Sequence, residues 1–330
     1  MSEFPDSSSV TGRMGALTVV GVIKCLWPPW TFSARFWVFK KTWKAPLKVF
    51  RLIRIEIAYQ NLHVLRTLYG LRWSVVHFEG EKRKRLIFET IFVGDWEQYL
   101  RLLVARTAVG IEWHAAGSVG FPGVENVELF LQYLFQRHRP ASHVYAKSPF
   151  VSLVQLQQAI GSANEAPTHR NNWFGAVLRV RPGARDAITT LIEGWGDLSA
   201  VSPLQVDLLH HGRAVLIDGK TDTHLLLSAC HAAPVQETVG HRASNDAADR
   251  AFLEALFEHD PAAWLRVLRL CVCDADTEDR GVDSLMARRY GVPNRRSIQW
   301  NAPEWDHTPA FLQQCITRYA NEQLGKIGRP

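Results

Sequence analysis

The chain has 330 residues, 47% of them hydrophobic and 21% charged, with a net charge of +6; this excludes a disordered chain and leaves room for two domains of ordinary size. The charge is uneven: residues 1–60 hold nine basic side chains against three acids, which accounts for the whole excess and points to an anionic surface meeting this end. Five scattered cysteines without a Cys-x-x-Cys pair exclude a disulfide framework and a zinc knuckle, and fit a reduced, cytoplasmic compartment.

Residues 1–15 read as a flexible polar tail without the charged and apolar regions of a signal peptide. Ala16–Ile23 is a strand-like apolar run. The stretch from Ala16 to Phe39 is interrupted by Lys24, Pro28, Pro29 and Arg35, so it does not read as a spanning helix. Two adjacent strands follow, Arg72–Phe78 and Arg85–Phe92, around the basic hairpin tip Glu81–Arg85. Asp95 is a natural N-cap for a helix carrying Leu100, Leu103, Val104 and Ala108 on one face. His143–Ala146 is a closing strand of a first unit spanning 16–160, and the polar segment 161–172 is a linker.

The second unit, 173–273, repeats the plan. Phe174–Val180 is a strand, Arg181–Ala184 a turn and Arg185–Trp195 a helix. Gly212–Ile217 and His224–Cys230 are paired strands around the hairpin turn Asp218–Asp222. Residues 274–330 read as a helical extension packed on the second unit, with a last helix over Thr308–Gln323. Each half is thus β-α-β-β-α, the ferredoxin-like split plan. The expected fold is α+β, with two tandem ferredoxin-like units forming one pseudo-symmetric barrel.

Chemistry-bearing residues cluster at His210-His211-Gly212-Arg213, at the head of a central strand. Two imidazoles beside a guanidinium suit haem ligation, carbonyl polarisation or anion holding; as strand ends they equally suit solvent or a neighbour's cap. Adjacent strand residues face opposite ways, so the two histidines cannot both line one pocket. Arg213 matches Arg72 by repeat position, and the pair either forms an anion-binding interior or is taken up by nearby acids such as Glu79 or Asp207. His231 ends a strand at what would be a barrel mouth, a usual ligand position. No His-x-x-x-His pair, Gly-x-Ser-x-Gly or phosphate loop is present, so neither a metal site nor a nucleophile elbow is expected.

The segment 25–57 sets Trp27, Trp30, Trp37 and Trp43 among Lys40, Lys41 and other cations. Such a mixture suits aromatics packed on the barrel with snorkelling cations, or docking to an anionic membrane surface or partner protein; nucleic acid fits it least.

Three segments carry a resemblance: Leu71–Val76 leading to Leu86–Leu100, with its Phe92-x-Gly94-Asp95-Trp96 helix start, and Tyr145-x-x-x-Pro149. Together they resemble bacterial proteins related to dye-decolourising peroxidases, closely over roughly 16–160 and loosely beyond. The resemblance implies a dimeric α+β barrel fold built within one chain, and a peroxidase-like or related oxidoreductase. It also implies haem or a small apolar ligand in the barrel. Arg72 and Arg213 would hold propionates or another anion, and one of His210, His211 and His231 would be an axial ligand or acid/base. The peroxidase Gly-x-x-Asp-Gly motif is absent. The alternative is a non-catalytic barrel that docks to a membrane surface or protein through 25–57; further oligomerisation is open.

Overall fold

The computed structural model describes residues 10–11, 14–23, 62–76, 78, 81–115, 117–161, 169–196, 209–234, 254–255, 258–272, 297–305 and 307–327. Ten strands form two antiparallel five-stranded sheets. They are β1 (Val10–Thr11), β2 (Met14–Val22), β3 (Leu68–Val76), β4 (Arg85–Val93), β5 (His143–Ala146), β6 (His169–Val180), β7 (Leu209–Asp218), β8 (Thr223–Pro234), β9 (Cys271–Val272) and β10 (Ser297–Asn301). Six α-helices are described: α1 (Trp96–Ala115), α2 (Val127–Arg137), α3 (Leu153–Ile160), α4 (Arg185–Glu193), α5 (Pro261–Leu270) and α6 (Pro309–Ile327).

Sheet order is β1-β2-β4-β3-β10 in the first sheet and β5-β7-β8-β6-β9 in the second. Beside β9, the second unit runs β9-β6-β8-β7, the order of a split βαβ unit closed by its own last strand. The first unit does not close this way. Its last strand, β5, crosses to the other sheet and pairs with β7, His143 opposite Ala214. The C-terminal segment makes the opposite crossing. Read from sequence as a helical extension on the second unit, it in fact contributes β10 to the first sheet, where Gln299 lies opposite Arg72. Strand pairing is chosen by tertiary fit, which composition does not encode.

Period-two alternation splits each strand between two cores. Leu17, Val19, Leu71, Trp73, Leu86 and Phe88 face α1 and α2. Phe174, Ala176 and Leu178 face α4 and α5 through Ile188, Ile192, Trp264 and Val267. The opposite faces meet each other: Val20, Val76, Phe78 and Ile87 of the first sheet pack on Val177, Val215, Ile217 and Leu226 of the second. The result is helices, sheet, sheet, helices. The sheets also approach at their margins, β1 beside β5 and β10 beside β6.

Local signals act as their chemistry demands. Asp95 accepts the Gln98 N–H at 2.8 Å to start α1, and Gly219 N–H closes its hairpin on the Asp222 carbonyl at 2.8 Å. Ser152 and Gln155 form a reciprocal capping box on α3. The last helix, α6, starts one residue later than expected, runs on to Ile327, and lies along α3 with Tyr319 donating to Gln158 at 3.0 Å.

Candidate functional site

Arg72 and Glu89 sit directly opposite on β3 and β4, both pointing between the sheets. Arg72 donates through Nε to Glu89 Oε2 at 2.8 Å and through Nη2 to the same carboxylate. From the second sheet, Arg213 donates through Nε to Glu89 Oε1 at 3.1 Å and through Nη1 to the Leu17 carbonyl at 3.2 Å. All three side chains are at most 1% exposed. The two arginines identified from sequence therefore do face one interior, and the acid between them is Glu89. Glu79 and Asp207, the other acids considered, lie outside the described residues.

The second sheet is shaped around these ions. A Cβ on Gly175 would come within 2.7 Å of both terminal nitrogens of Arg72, so this position admits no side chain while Arg72 stays on Glu89. The Trp173 ring lies 5.5 Å from the Arg72 guanidinium carbon and 5.9 Å from that of Arg213, within cation–π range. Its indole N–H donates to Asn301 Oδ1 at 2.7 Å, and Asn301 Nδ2 donates to the Asn171 carbonyl at 2.9 Å. The crossing strand β10 is thus tied to the ion cluster through Trp173.

Burial alone would raise the Glu89 carboxyl, but the charges of Arg72 and Arg213 and a hydrogen bond from Ser228 outweigh it and hold the group below the usual carboxylate range. Two cations and one anion leave this interior with one net positive charge.

The candidate histidines separate. His210 sits in a bulge of the β7–β8 register, flanked by Leu209 and His211. His210 stacks on Trp305, ring centroids 5.3 Å apart, with its Nε2 at 3.1 Å from the His307 carbonyl. Burial drives His210 down to about 3, the His307 carbonyl opposing and the neighbouring cations assisting. His211 is 1% exposed, and its Nε2 meets no hydrogen-bond partner among the described residues. Its value is lowered well below the ordinary one by burial and by Arg213. His231 is fully buried, its Nδ1 at 3.3 Å from the Ala232 carbonyl. Trp27, Trp30, Trp37, Lys40, Lys41 and Trp43 lie outside the described residues.

At the end of the sheet pair a second group assembles. Tyr69 on β3 packs against Trp305, ring centroids 4.5 Å apart and planes tilted by 35°, and donates its hydroxyl hydrogen to the Val151 carbonyl. With His210, Lys147, Ser148 and Leu312 these rings line a partly enclosed void of about 20 Å³, room for a water molecule. Burial raises the Tyr69 phenol far above its ordinary value. Both polar rings are therefore neutral near pH 7, hydrogen-bonding groups rather than ions.

Haem does not fit beside Tyr69, His210 and Trp305. The arginines that would meet propionates are taken up by Glu89, the His210 Nε2 faces a carbonyl, and the void beside it is far smaller than a porphyrin. Among the described residues no group of three metal-ligating side chains forms, and no helix is long and apolar enough to cross a membrane.

No protein-family model matches the chain, and no curated protein matches it. Two solved structures are distant neighbours. One is a candidate monooxygenase from Fusobacterium nucleatum subsp. nucleatum, 8% identical over 67% of this chain and 77% of that one, with a TM-score of 0.28. The other is an anthrone oxidase-like protein, 11% identical over 78% of this chain and 87% of that one, with a TM-score of 0.30. Neither is named as a dye-decolourising peroxidase, and likeness this distant carries no argument about chemistry.

Sequence reasoning passed over Glu89, Tyr69, Lys147, Gly175 and Trp305. Glu89 had a readable signal: a carboxylate in the middle of Leu86-Ile-Phe-Glu-Thr-Ile-Phe92 must find a cation once the strand is buried. Trp305 had none, because only the fold brings it to Tyr69 and His210.

Two predictions follow from the buried charges. Glu89→Gln strands two guanidiniums in the interior and should lower the unfolding free energy by about 3–5 kcal/mol in urea titration; loss no greater than for Glu97→Gln at the exposed Arg101 pair would refute the role. His138 and His143, each depressed by burial to about 4, and His210 at about 3 give a pH effect of known sign. Below about pH 6.5, the ordinary histidine value, the unfolded chain takes up protons that these rings refuse. Stability should therefore fall as pH drops from about 6.5 toward 5, above the range where carboxylates titrate. A urea midpoint that stays flat over this window would contradict it.

Proposed function

We propose that the chain is a redox-related α+β barrel protein, its two units related by pseudo-symmetry, that binds a small apolar ligand beside Tyr69, His210 and Trp305. One observation carries the reading. Among the described residues, this is where a partly enclosed void meets both packed aromatic rings and polar groups, the usual make-up of a ligand site. The approach of the sheets at both margins supports the barrel. The Tyr69 phenol oxygen, its hydrogen given to the Val151 carbonyl, would accept a hydrogen bond from a ligand hydroxyl, with the neutral His210 ring beside it. As an enzyme the protein would be an oxidoreductase, with a bound electron-rich molecule giving its electrons to dioxygen or peroxide. Haem takes no part in this reading. Oxygen-electrode assays with planar phenols, and with the ketone anthrone, should show protein-dependent uptake that drops about tenfold in Tyr69→Phe or His210→Ala, a drop of that size matching the loss of one useful hydrogen bond. Uptake no faster than without protein would sink the proposal.

The filled space around Glu89, where both arginines are taken up by one carboxylate, favours a second reading, in which the barrel is a scaffold and the segment 25–57 docks to an anionic membrane surface or a protein partner. Vesicles containing phosphatidylserine should then sediment the protein at low salt and release it at high salt, and Trp37→Ala with Lys40→Gln and Lys41→Gln should abolish the binding. Equal recovery with neutral and anionic vesicles would dismiss this docking mode.

A further inference from the structure

Two turns meet at the end of the sheet pair opposite the void. Residues 81–84 lead into β4 of the first sheet, and 219–222 join β7 to β8 of the second. Glu81 ties them together. Its carboxylate accepts Arg85 Nε at 2.6 Å and is held below the usual carboxylate range, by Arg85 first and with help from the Lys220 backbone N–H. A Cβ on Gly219 would come within 2.7 Å of the Asp222 carbonyl oxygen and 3.0 Å of Glu81 Oε1, so the two turns are in contact. Beneath them the Phe78 and His224 rings stack, centroids 4.4 Å apart.

The acids here are mostly paired. Glu81 is on Arg85, and Asp218 is on Arg185 at 2.9 Å and accepts the Thr223 hydroxyl at 3.0 Å. Asp222 accepts the Thr221 hydroxyl at 3.0 Å. The cations are not paired. Lys82, Arg83 and Lys220 are exposed and Lys84 is half-buried, and among the described residues no side chain takes up their charge. The chain leaves the first sheet at the same place. The Ile23 N–H donates to the Lys84 carbonyl at 3.0 Å, and Lys24, Trp27 and Trp30 follow in sequence.

Resting on the docking reading above, we infer that the two joined turns are the sheet-borne part of a membrane-docking surface: Lys82, Arg83, Lys84 and Lys220 meet the headgroups of an anionic bilayer, beside the point where the Trp- and Lys-rich segment leaves the sheet. Three features converge on this partner. Turns carried by hydrogen-bonded strands present their cations together, which costs less entropy on binding than ordering the same cations on a loose chain. Tryptophan close to lysine, as in the sequence that follows Ile23, suits the headgroup layer. The Phe78 ring at the junction is buried, so no base could stack on it, and nucleic acid fits less well.

The test sediments the full chain with vesicles of phosphatidylcholine and phosphatidylserine, against pure phosphatidylcholine. Lys82→Gln, Arg83→Gln and Lys84→Gln together should weaken binding about a hundredfold, at about fivefold for each cation near an anionic surface. Lys220→Gln alone should weaken it about fivefold, an effect that only the contact between the two turns foresees. Arg66→Gln, Arg318→Gln and Lys326→Gln remove the same charge from exposed sites on other elements. They should change binding by roughly twofold at most, because screening confines the attraction to charges close to the lipid. Equal losses from the two triple variants would overturn the inference, as would Lys220→Gln binding like the unsubstituted chain. Binding to a single-stranded oligonucleotide but to neither vesicle would assign the turns to nucleic acid and overturn it too. The outcome separates from the reading on 25–57. Loss in the 82–84 variant with normal binding by the Trp37, Lys40 and Lys41 variant keeps the turns and removes that segment. The converse keeps the segment and removes the turns.

Discussion

One carboxylate between two arginines holds the sheets face to face. Glu89 receives Arg72 from its own sheet and Arg213 from the other, and none of the three meets solvent. Taking these groups out of water is costly, and an apolar trio of similar volume often fills such a space with no loss of stability. What the ions add is direction. An apolar interface tolerates small slides, whereas a guanidinium that must reach a particular oxygen does not. The surroundings are matched to that demand: no side chain at Gly175, the face of Trp173 toward both cations, and Asn301 fixing the edge of that ring.

The interior is quiet in acid–base terms. Five buried histidines, His138, His143, His210, His211 and His224, are all depressed, so each stays neutral at physiological pH. Burial is the largest cause in every case, and the excess positive charge around Arg213 adds to it for His138 and His211. Such rings can orient a ligand but cannot serve as a ready proton source or sink near neutrality. This favours chemistry, or binding, that depends on ring stacking and hydrogen-bond direction.

Much of the framework was legible in the sequence. The apolar runs around Ala16, Arg72, Arg85, Phe174, Gly212 and His224 are strands, and Asp95 and the Asp218–Asp222 turn do what their chemistry requires. The shared interior of Arg72 and Arg213 followed from matching positions in the repeat. The acid that joins them was missed because it was sought at strand ends rather than one register step away on β4. The exchange of β5 and β10 could not be read, since four or five extended residues pair equally well with either sheet until tertiary packing decides. The aromatic group at Trp305 depends on that exchange and was hidden with it.

The exchange also sets an order of assembly. The first sheet is synthesised early, yet its β3 edge is completed by Ser297–Asn301, more than 220 positions after Leu68–Val76. Contacts so distant in sequence close slowly. While the chain is being made, β3 therefore presents an open edge, and Trp173 lacks the Asn301 acceptor for its indole. The strand synthesised near the end is the one that seals the beginning, so a chain truncated before residue 297 would leave that edge bare for any passing strand.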